Sequence, residues 1–326
     1  MPILKYVDLF CGTGAFSLAM NKIPQTECVF ANDMCPNSHI IYKTNFPSHN
    51  FVKSKLEDIK VEDIPTHDIL FAGFPCQSWS TAGLRKGFAD DRGQAFFYLL
   101  NVIKYHQPEV FVLENVKYLT KHDEGRSFNT ILTSLEAQGY TIRYKVLDTA
   151  LYTNIPQRRE RIYIVGFKTA TNANNFNFPS LVSHTKAIAD MLDTNPDAKY
   201  TYDGRYKIYD KLKREMTLLN TLYRYKGYIK ANKSNVCPTL TASMGGGGHN
   251  VMLISQKEGE IRKLTPRECF NLQGIPKSYI LPAEIKDRGL YRLAGNAVSY
   301  PVVEKLLKCV FRALLQSSCT PSQSVS

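Results

Sequence analysis

The sequence predicts an α/β protein built on a doubly wound, mostly parallel sheet, joined to a smaller domain that is mainly irregular or β. Three observations predict this. Up to about residue 170, short apolar runs alternate with helical stretches, the rhythm of a parallel sheet covered on both faces. After about Asn172 the rhythm fails, and residues 180–262 show no βαβ spacing. From Val302 to Leu315 an amphipathic helical period returns.

The elements follow in order. Lys5–Phe10 reads as a strand running into Cys11-Gly12-Thr13-Gly14. Cys28–Ala31, Ile69–Ala72 and Val110–Leu113 read as further strands, with Thr141–Leu147 and Ile162–Phe167 as additional candidates. Gln94–Tyr105 and Ser127–Gln138 read as helices. Residues 171–178 are polar and Asn-rich and read as a linker. The stretch 205–233 carries nine Lys or Arg, two acids and five tyrosines. Met244 then precedes the glycine run Gly245, Gly246, Gly247 and Gly248, read as a loop. Thr265, Pro266 and Glu268 form a helix start, with Thr as N-cap, Pro at the first position and Glu at the third. Pro301 opens the last helix, where Glu304 and Lys308 make an i,i+4 pair of favourable order.

Composition narrows the class. A chain of 326 residues makes one large domain or two modest ones, at roughly 150 residues each. It needs no disulfide or metal staples. With 44% hydrophobic and 21% charged residues, it is not a disordered, collagen-like or coiled-coil chain. No run approaches the ~18–20 apolar residues of a membrane span, and Lys5 and Asp8 interrupt the N-terminal run, so neither span nor signal peptide is read. The 41 Lys plus Arg against 29 Asp plus Glu give a net charge of +12, which suggests a polyanionic partner. None of the eight cysteines forms C-x-x-C, so no zinc or other metal site is expected. Their scatter fits free thiols in a reducing compartment.

Several motifs sit at strand ends, where open α/β sheets bind ligands. In Asp8-Leu9-Phe10-Cys11-Gly12-Thr13-Gly14, glycines allow close approach of a ligand to the backbone. A plain tight turn is the alternative. Ser17 stands where a dinucleotide fingerprint wants a third small residue, which disfavours a dehydrogenase. Asp33, ending the second strand, is placed to take two ribose hydroxyls. In Gly73-Phe74-Pro75-Cys76-Gln77-Ser78, Cys76 follows a strand directly and is a candidate nucleophile; a buried small hydrophobe is the alternative. Residues 80–92, with Gly83 and Gly87, read as a loop that closes over a substrate. Glu114-Asn115-Val116 leaves a carboxylate at a strand end, which is costly unless it is solvated, paired or used. In Gln157-Arg158-Arg159-Glu160-Arg161, alternation puts Gln157, Arg159 and Arg161 on one face of an extended chain. Two guanidiniums on one face can hold a carboxylate, phosphate or carbonyl oxygen; a solvated charge run is the alternative, and the favoured one for this motif taken alone.

Taken together, DLFCGTG, PCQ, ENV, QRRER, RKLTPRE and GNAV, in this order and at this spacing, resemble the motifs of the C5-cytosine DNA methyltransferases. The resemblance runs from Val7 to about Phe167 and again from Arg262 to Leu315. It implies a Rossmann-like, S-adenosylmethionine-dependent fold. Residues 1–180 and 290–326 would form the discontinuous catalytic domain, closed by the C-terminal helix. Residues 181–289 would form the target-recognition domain and hinge. The short chain looks like the stand-alone microbial or viral members.

The resemblance also implies roles. Cys76 would add to C6 of a flipped-out cytosine, making C5 nucleophilic. Glu114 would hydrogen-bond N3 and the exocyclic amine, Arg159 the O2 side, and Gln157 and Arg161 would support the loop and the cysteine. S-adenosylmethionine would lie against Phe10, Gly12, Gly14, Asp33, Met34, Asp58, Phe74 and Asn296, leaving as S-adenosylhomocysteine. The family usually has Glu where Asp33 stands and often Trp where Met34 stands, so ribose and adenine would be held differently here. Ser80, Thr239 and the run Gly245–Gly248 would contact double-stranded DNA. A monomer is implied, in the cytoplasm of a bacterium or a virus-infected host cell, or in the nucleus of a eukaryote. A cognate restriction endonuclease would be a functional partner. A tRNA cytosine-5 methyltransferase and a catalytically silent DNA-binding relative are the competing readings.

Overall fold

A computed structural model describes residues 3–75, 91–183, 186–225, 227–245, 251–257 and 260–318. The chain forms two compact units. One comprises Met1–Leu147, Glu160–Ser180 and Val302–Ser326; the other comprises Asp148–Arg159 and Leu181–Pro301.

In chain order the first elements are β1 (Leu4–Leu9), α1 (Ala15–Met20), β2 (Thr26–Asn32), α2 (Pro36–Asn45), β3 (Phe51–Val52), β4 (Ile69–Ala72), α3 (Asp91–His106), β5 (Val110–Val116), α4 (Arg126–Glu136), β6 (Thr141–Asp148), α5 (Thr149–Tyr152), β7 (Glu160–Phe167) and α6 (Ala170–Asn175). The seven strands of the first unit order as β3-β2-β1-β4-β5-β7-β6. Those from β3 to β5 pair in parallel, and β7 runs antiparallel beside β5. Central strands such as β4 are buried along their whole length, as expected of a sheet covered on both faces. On one face Val7, Leu9, Leu70 and Phe111 pack with Phe96 and Ile131 of α3 and α4. On the other, Phe16 of α1 stacks on Phe71 of β4, with ring centroids 4.9 Å apart.

Register positions the functional edge. Leu9 pairs with both Asn32 and Ala72, and Ala72 pairs with Leu113. The residues just beyond, from Phe10, Asp33, Gly73 and Glu114, therefore emerge at one edge of the sheet. Strand order reverses between β1 and β4, the switch point where such sheets bind ligands.

Two expectations change here. Residues 171–178 are not simply a linker. Thr169 caps α6 by accepting the Asn172 N–H, and Phe176 is buried against Phe167. Helices α1 and α2 were not read from the sequence. α1 is six residues long and buried at all but one position, so it shows no amphipathic period. α2 announces itself only by Pro36 at its first turn.

The second unit adds β8 (Thr201–Tyr202), α7 (Tyr209–Glu215), β9 (Leu222–Tyr225), β10 (Ile229–Ala231), β11 (Leu253–Lys257), β12 (Glu260–Lys263), α8 (Pro266–Leu272) and α9 (Asp287–Asn296), and α10 (Tyr300–Ser318) closes the chain. Its five strands order as β10-β9-β11-β12-β8, and all paired neighbours are antiparallel. Tyr202, Leu212, Tyr223, Leu253 and Ile261 form its core. The basic stretch 205–233 is thus more regular than its sequence suggested, holding α7 and the β9–β10 pair. The helix start at Thr265 is a full capping box with Glu268. Glu268, completely buried, also pairs with buried Arg262 at 2.7 Å. Among the described residues, no helix is long and apolar enough to cross a membrane.

Candidate active site

The loop after β1 is shaped for a ligand. Phe10 and Gly12 both take left-handed backbone conformations, with φ of 53° and 54°. The first is a strained choice for a non-glycine residue. A Cβ on Gly12 would meet nothing closer than 4.0 Å, whereas one on Gly14 would strike the rings of Phe46 and Tyr42 at 2.6 and 2.9 Å. Gly12 therefore leaves open space on the ligand side, and Gly14 lets α2 close against the loop from behind. Asp33 is fixed from two sides, accepting the Gly12 N–H at 2.9 Å and the Cys35 N–H at 2.7 Å. Met34 is 61% exposed, and Asp58 is exposed at the end of a short 3-10 turn. Phe74 is buried against Phe96, so its ring belongs to the core.

Beneath this loop lies a carboxylate that sequence reading passed over. Asp8 is fully buried. Burial pushes its carboxyl up to about 7, against the two hydrogen bonds from Ser17, with Asp33 adding to the rise. The signal was an acid in the middle of the apolar strand KYVDLF, a costly placement without a purpose. A backbone cradle with open space at Gly12, an anchored carboxylate at Asp33 and an exposed platform at Met34 fit a nucleoside cofactor bearing a cationic head.

At the end of β5, beyond β4 in the sheet, Glu114 is buried and faces Arg161, whose Nε lies 3.1 Å from Glu114 Oε1. The antiparallel register of β5 and β7 brings them together by pairing Val116 with Arg161 and Glu114 with Tyr163. Arg161 Nη1 also donates to the Glu160 carbonyl at 2.8 Å. A guanidinium has five N–H donors, so these contacts leave Nη2 for a ligand. Asn115 donates to the Phe74 carbonyl at 3.2 Å, tying the exits of β4 and β5 together two residues before Cys76 in sequence. Cys76, Ser80, Gly246, Gly247 and Gly248 lie outside the described residues.

Alternation in the arginine motif is visible as burial: Gln157 and Arg159 are buried, while Arg158 has a side chain 72% exposed. The two inward arginines differ in their surroundings. Arg159 belongs to the second unit, where its guanidinium donates to the carbonyls of Leu240, Gly295 and Ala297 at 3.2, 3.2 and 2.7 Å. It clamps three backbone segments of that unit. Gln157 donates to the Leu272 carbonyl at 2.6 Å. Thr239 donates to the Arg158 carbonyl at 2.7 Å. A Cβ on Gly245 would lie 2.8 Å from Tyr291, and one on Gly295 2.3 Å from the Thr241 backbone. Close packing accounts for both glycines. Asn296, exposed, ends α9.

A doubly wound sheet with a ligand cradle at its switch point, and a paired glutamate and arginine at the same edge, defines a Rossmann-like α/β domain with its ligand site at the strand ends. The family model for C-5 cytosine-specific DNA methylase matches residues 4–312. The chain is 45% identical over 318 residues to the Type II methyltransferase M.Bsp6I of Bacillus sp. (strain RFL6), covering 96% of this chain and all of that protein. It is 36% identical to the Type II methyltransferase M1.ScrFI of Lactococcus lactis subsp. cremoris, covering 96% of this chain and 79% of that one. The solved structure of the Entamoeba histolytica methyltransferase EhMeth aligns with a TM-score of 0.77 at 19% identity, over 96% of this chain and 99% of that one. The chain belongs to the C-5 cytosine-specific DNA methylase family. It is an enzyme that methylates cytosine at C5 in DNA.

Proposed function

We propose that the protein methylates a cytosine flipped out of a specific duplex sequence, through a covalent adduct between Cys76 and C6, as the modification enzyme of a type II restriction system. The observation that carries the reading is the Glu114–Arg161 pair at the strand edge, tied by Asn115 to the segment that leads to Cys76.

Unactivated cytosine C5 is a poor nucleophile. The Cys76 thiolate adds to C6, forming a C–S bond and moving electron density to C5. Glu114 holds N3 and the exocyclic amine, gives its carboxyl proton to N3 as the thiolate adds, and takes it back when the thiolate leaves. Arg161, rather than Arg159, presents its free Nη2 to O2, because Arg159 is engaged by three carbonyls. Bound S-adenosylmethionine supplies the electrophilic methyl group. A base then removes the C5 proton, and the C–S bond breaks to return the thiolate. Phe10, Gly12, Gly14 and Asp33 line the cofactor cradle. Met34 and Asp58 face the adenine end, and Asn296 contributes from the last motif. Asp33, one methylene shorter than the family's usual Glu, reaches the ribose while braced by two backbone N–H groups. Ser80, Thr239 and the run Gly245–Gly248 contact the duplex. No metal enters the chemistry.

Incubation with a duplex containing 5-fluorocytosine and S-adenosylmethionine tests the route. A covalent protein–DNA adduct that forms with the wild type and not with Cys76→Ser is the expected result. Turnover of the Cys76→Ser variant, or methylation of tRNA in preference to duplex DNA, rejects the reading.

A further inference from the structure

Ser17, which departs from the dinucleotide pattern, belongs to a continuous hydrogen-bonded chain. Its hydroxyl donates to Asp8 Oδ2 at 2.7 Å, and its backbone N–H reaches the same oxygen at 3.3 Å. The Tyr42 hydroxyl lies 2.7 Å from Ser17 Oγ, and His49 Nδ1 lies 3.0 Å from the Tyr42 hydroxyl. Asp8 Oδ1 is buried with no hydrogen-bond partner among the described residues. His49, at the far end, is half-buried and reaches solvent.

Each hydroxyl carries one proton, so along this path the chain has two polarities. With Asp8 ionised, Ser17 donates to Asp8, Tyr42 to Ser17, and His49 must carry its proton on Nδ1 to donate to Tyr42. With Asp8 protonated on Oδ2, every bond reverses: Asp8 donates to Ser17, Ser17 to Tyr42, and Tyr42 to a bare Nδ1, leaving the imidazole proton on Nε2. Passage from the second state to the first moves one proton along each link and releases one from His49 Nε2 to solvent. A fully buried carboxyl thereby exchanges protons with water without opening the fold.

We propose that Asp8, Ser17, Tyr42 and His49 form a reversible proton chain through which the charge of the carboxyl beneath the cofactor loop and the tautomer of His49 are set together, making Tyr42 and His49 positioning residues for the cofactor site. The groups facing the chain are Cys28 from β2, Asp33 just beyond that strand, Tyr6 from β1, Cys11 from the loop, and Lys43 from α2. Burial holds Asp8 protonated up to about 7, and burial followed by Lys43 holds His49 neutral down to about 4. The window between is the one in which Nε2–H is stable. In its last step the inference rests on the cofactor reading: a cationic ligand at Gly12 favours ionised Asp8, so binding expels a proton and reverses the chain.

Nitrogen-15 NMR of the His49 ring in the cofactor-free protein tests the chain, titrating from about pH 5 to about pH 9. The expected result is Nε2–H below the Asp8 midpoint and Nδ1–H above it, with the switch absent in Tyr42→Phe. A single tautomer throughout, or a switch that survives in Tyr42→Phe, overturns the proposal. Adding S-adenosylmethionine just below the midpoint should move His49 to Nδ1–H and release up to one proton, counted by calorimetry in two buffers of different ionisation enthalpy. Binding without either change overturns the coupling. Absence of binding overturns the cofactor reading, and the cofactor-free titration still decides the chain.

Discussion

Arg161 and Glu114 face each other across the antiparallel β5–β7 pair, Nε to Oε1 at 3.1 Å, with side chains only 13% and 10% exposed. The pair exists because β7 runs against the direction of the other central strands and returns its first residues to the sheet edge where β5 ends. A carboxylate held this way is oriented before any substrate arrives.

Arg161→Ala should therefore lower kcat by about 10²–10³, the usual cost of a lost charge-stabilising donor. Arg159→Ala should act first on stability. Hydrogen bonds from charged donors contribute roughly 1.5–3 kcal/mol each, and Arg159 makes three to carbonyls. Denaturant melts beside single-turnover rates separate the two. An Arg159→Ala protein as stable as wild type would reject the clamp.

Gly12→Ala and Gly295→Ala should part company. At Gly12 the added methyl meets open space, so stability should fall only by the ~1 kcal/mol of a left-handed alanine, while the KM for the methyl donor rises. At Gly295 the methyl would lie 2.3 Å from the Thr241 backbone, and repacking should cost about 1–3 kcal/mol. Equal melting temperatures for the two variants would contradict the geometry.

The buried ion pair of Arg262 and Glu268 predicts a third result. Glu268 also accepts the N–H groups of Thr265 and Asp193. Glu268→Ala should cost about 3–5 kcal/mol, the range for stranding a buried charge. Thr265→Ala, which removes the cap and the hydroxyl's 2.8 Å hydrogen bond to Asp193 Oδ2, should cost less, about 1–2 kcal/mol. Unfolding midpoints that rank the other way would reject this assignment.

Stability should respond to pH with opposite signs at two sites. Asp8 titrates at about 7 in the fold against 3.8 ordinarily, so the folded state holds the extra proton between those values. Its contribution is full below the ordinary value and is lost as pH rises through about 7. Buried His67, lowered by burial from 6.5 to about 4, contributes fully above 6.5, and that contribution is lost as pH falls through about 4. Asp8→Asn should thus remove a declining component, and His67→Phe a rising one, from the curve of unfolding free energy against pH. Parallel curves for wild type and both variants would refute the two assignments.

Much of the fold was legible in the sequence. Ile69–Ala72 is a strand with the bounds its apolar run suggested, and the strands from β1 to β5 line up their ends as the motifs required. The reversal of β7 was not legible, because strand direction leaves no mark in residue pattern. The division of labour between the two inward arginines was hidden for a related reason. Alternation tells which side chains share a face, but the partners waiting on that face, Glu114 for one and three carbonyls for the other, come from segments distant in the chain. Asp8, Ser17, Tyr42 and His49 form a unit only after β1, α1 and α2 have packed.

The inward, outward, inward order of the residues from 157 to 161 also limits how this enzyme can diverge. Arg158 and Glu160 point away and are open to replacement by many side chains. A single insertion or deletion between Arg159 and Arg161 would turn one guanidinium to the opposite side of the strand relative to the other, so that either Glu114 or the three carbonyls would lose their arginine. At this place the count of residues is held more tightly than the chemistry of the outward two.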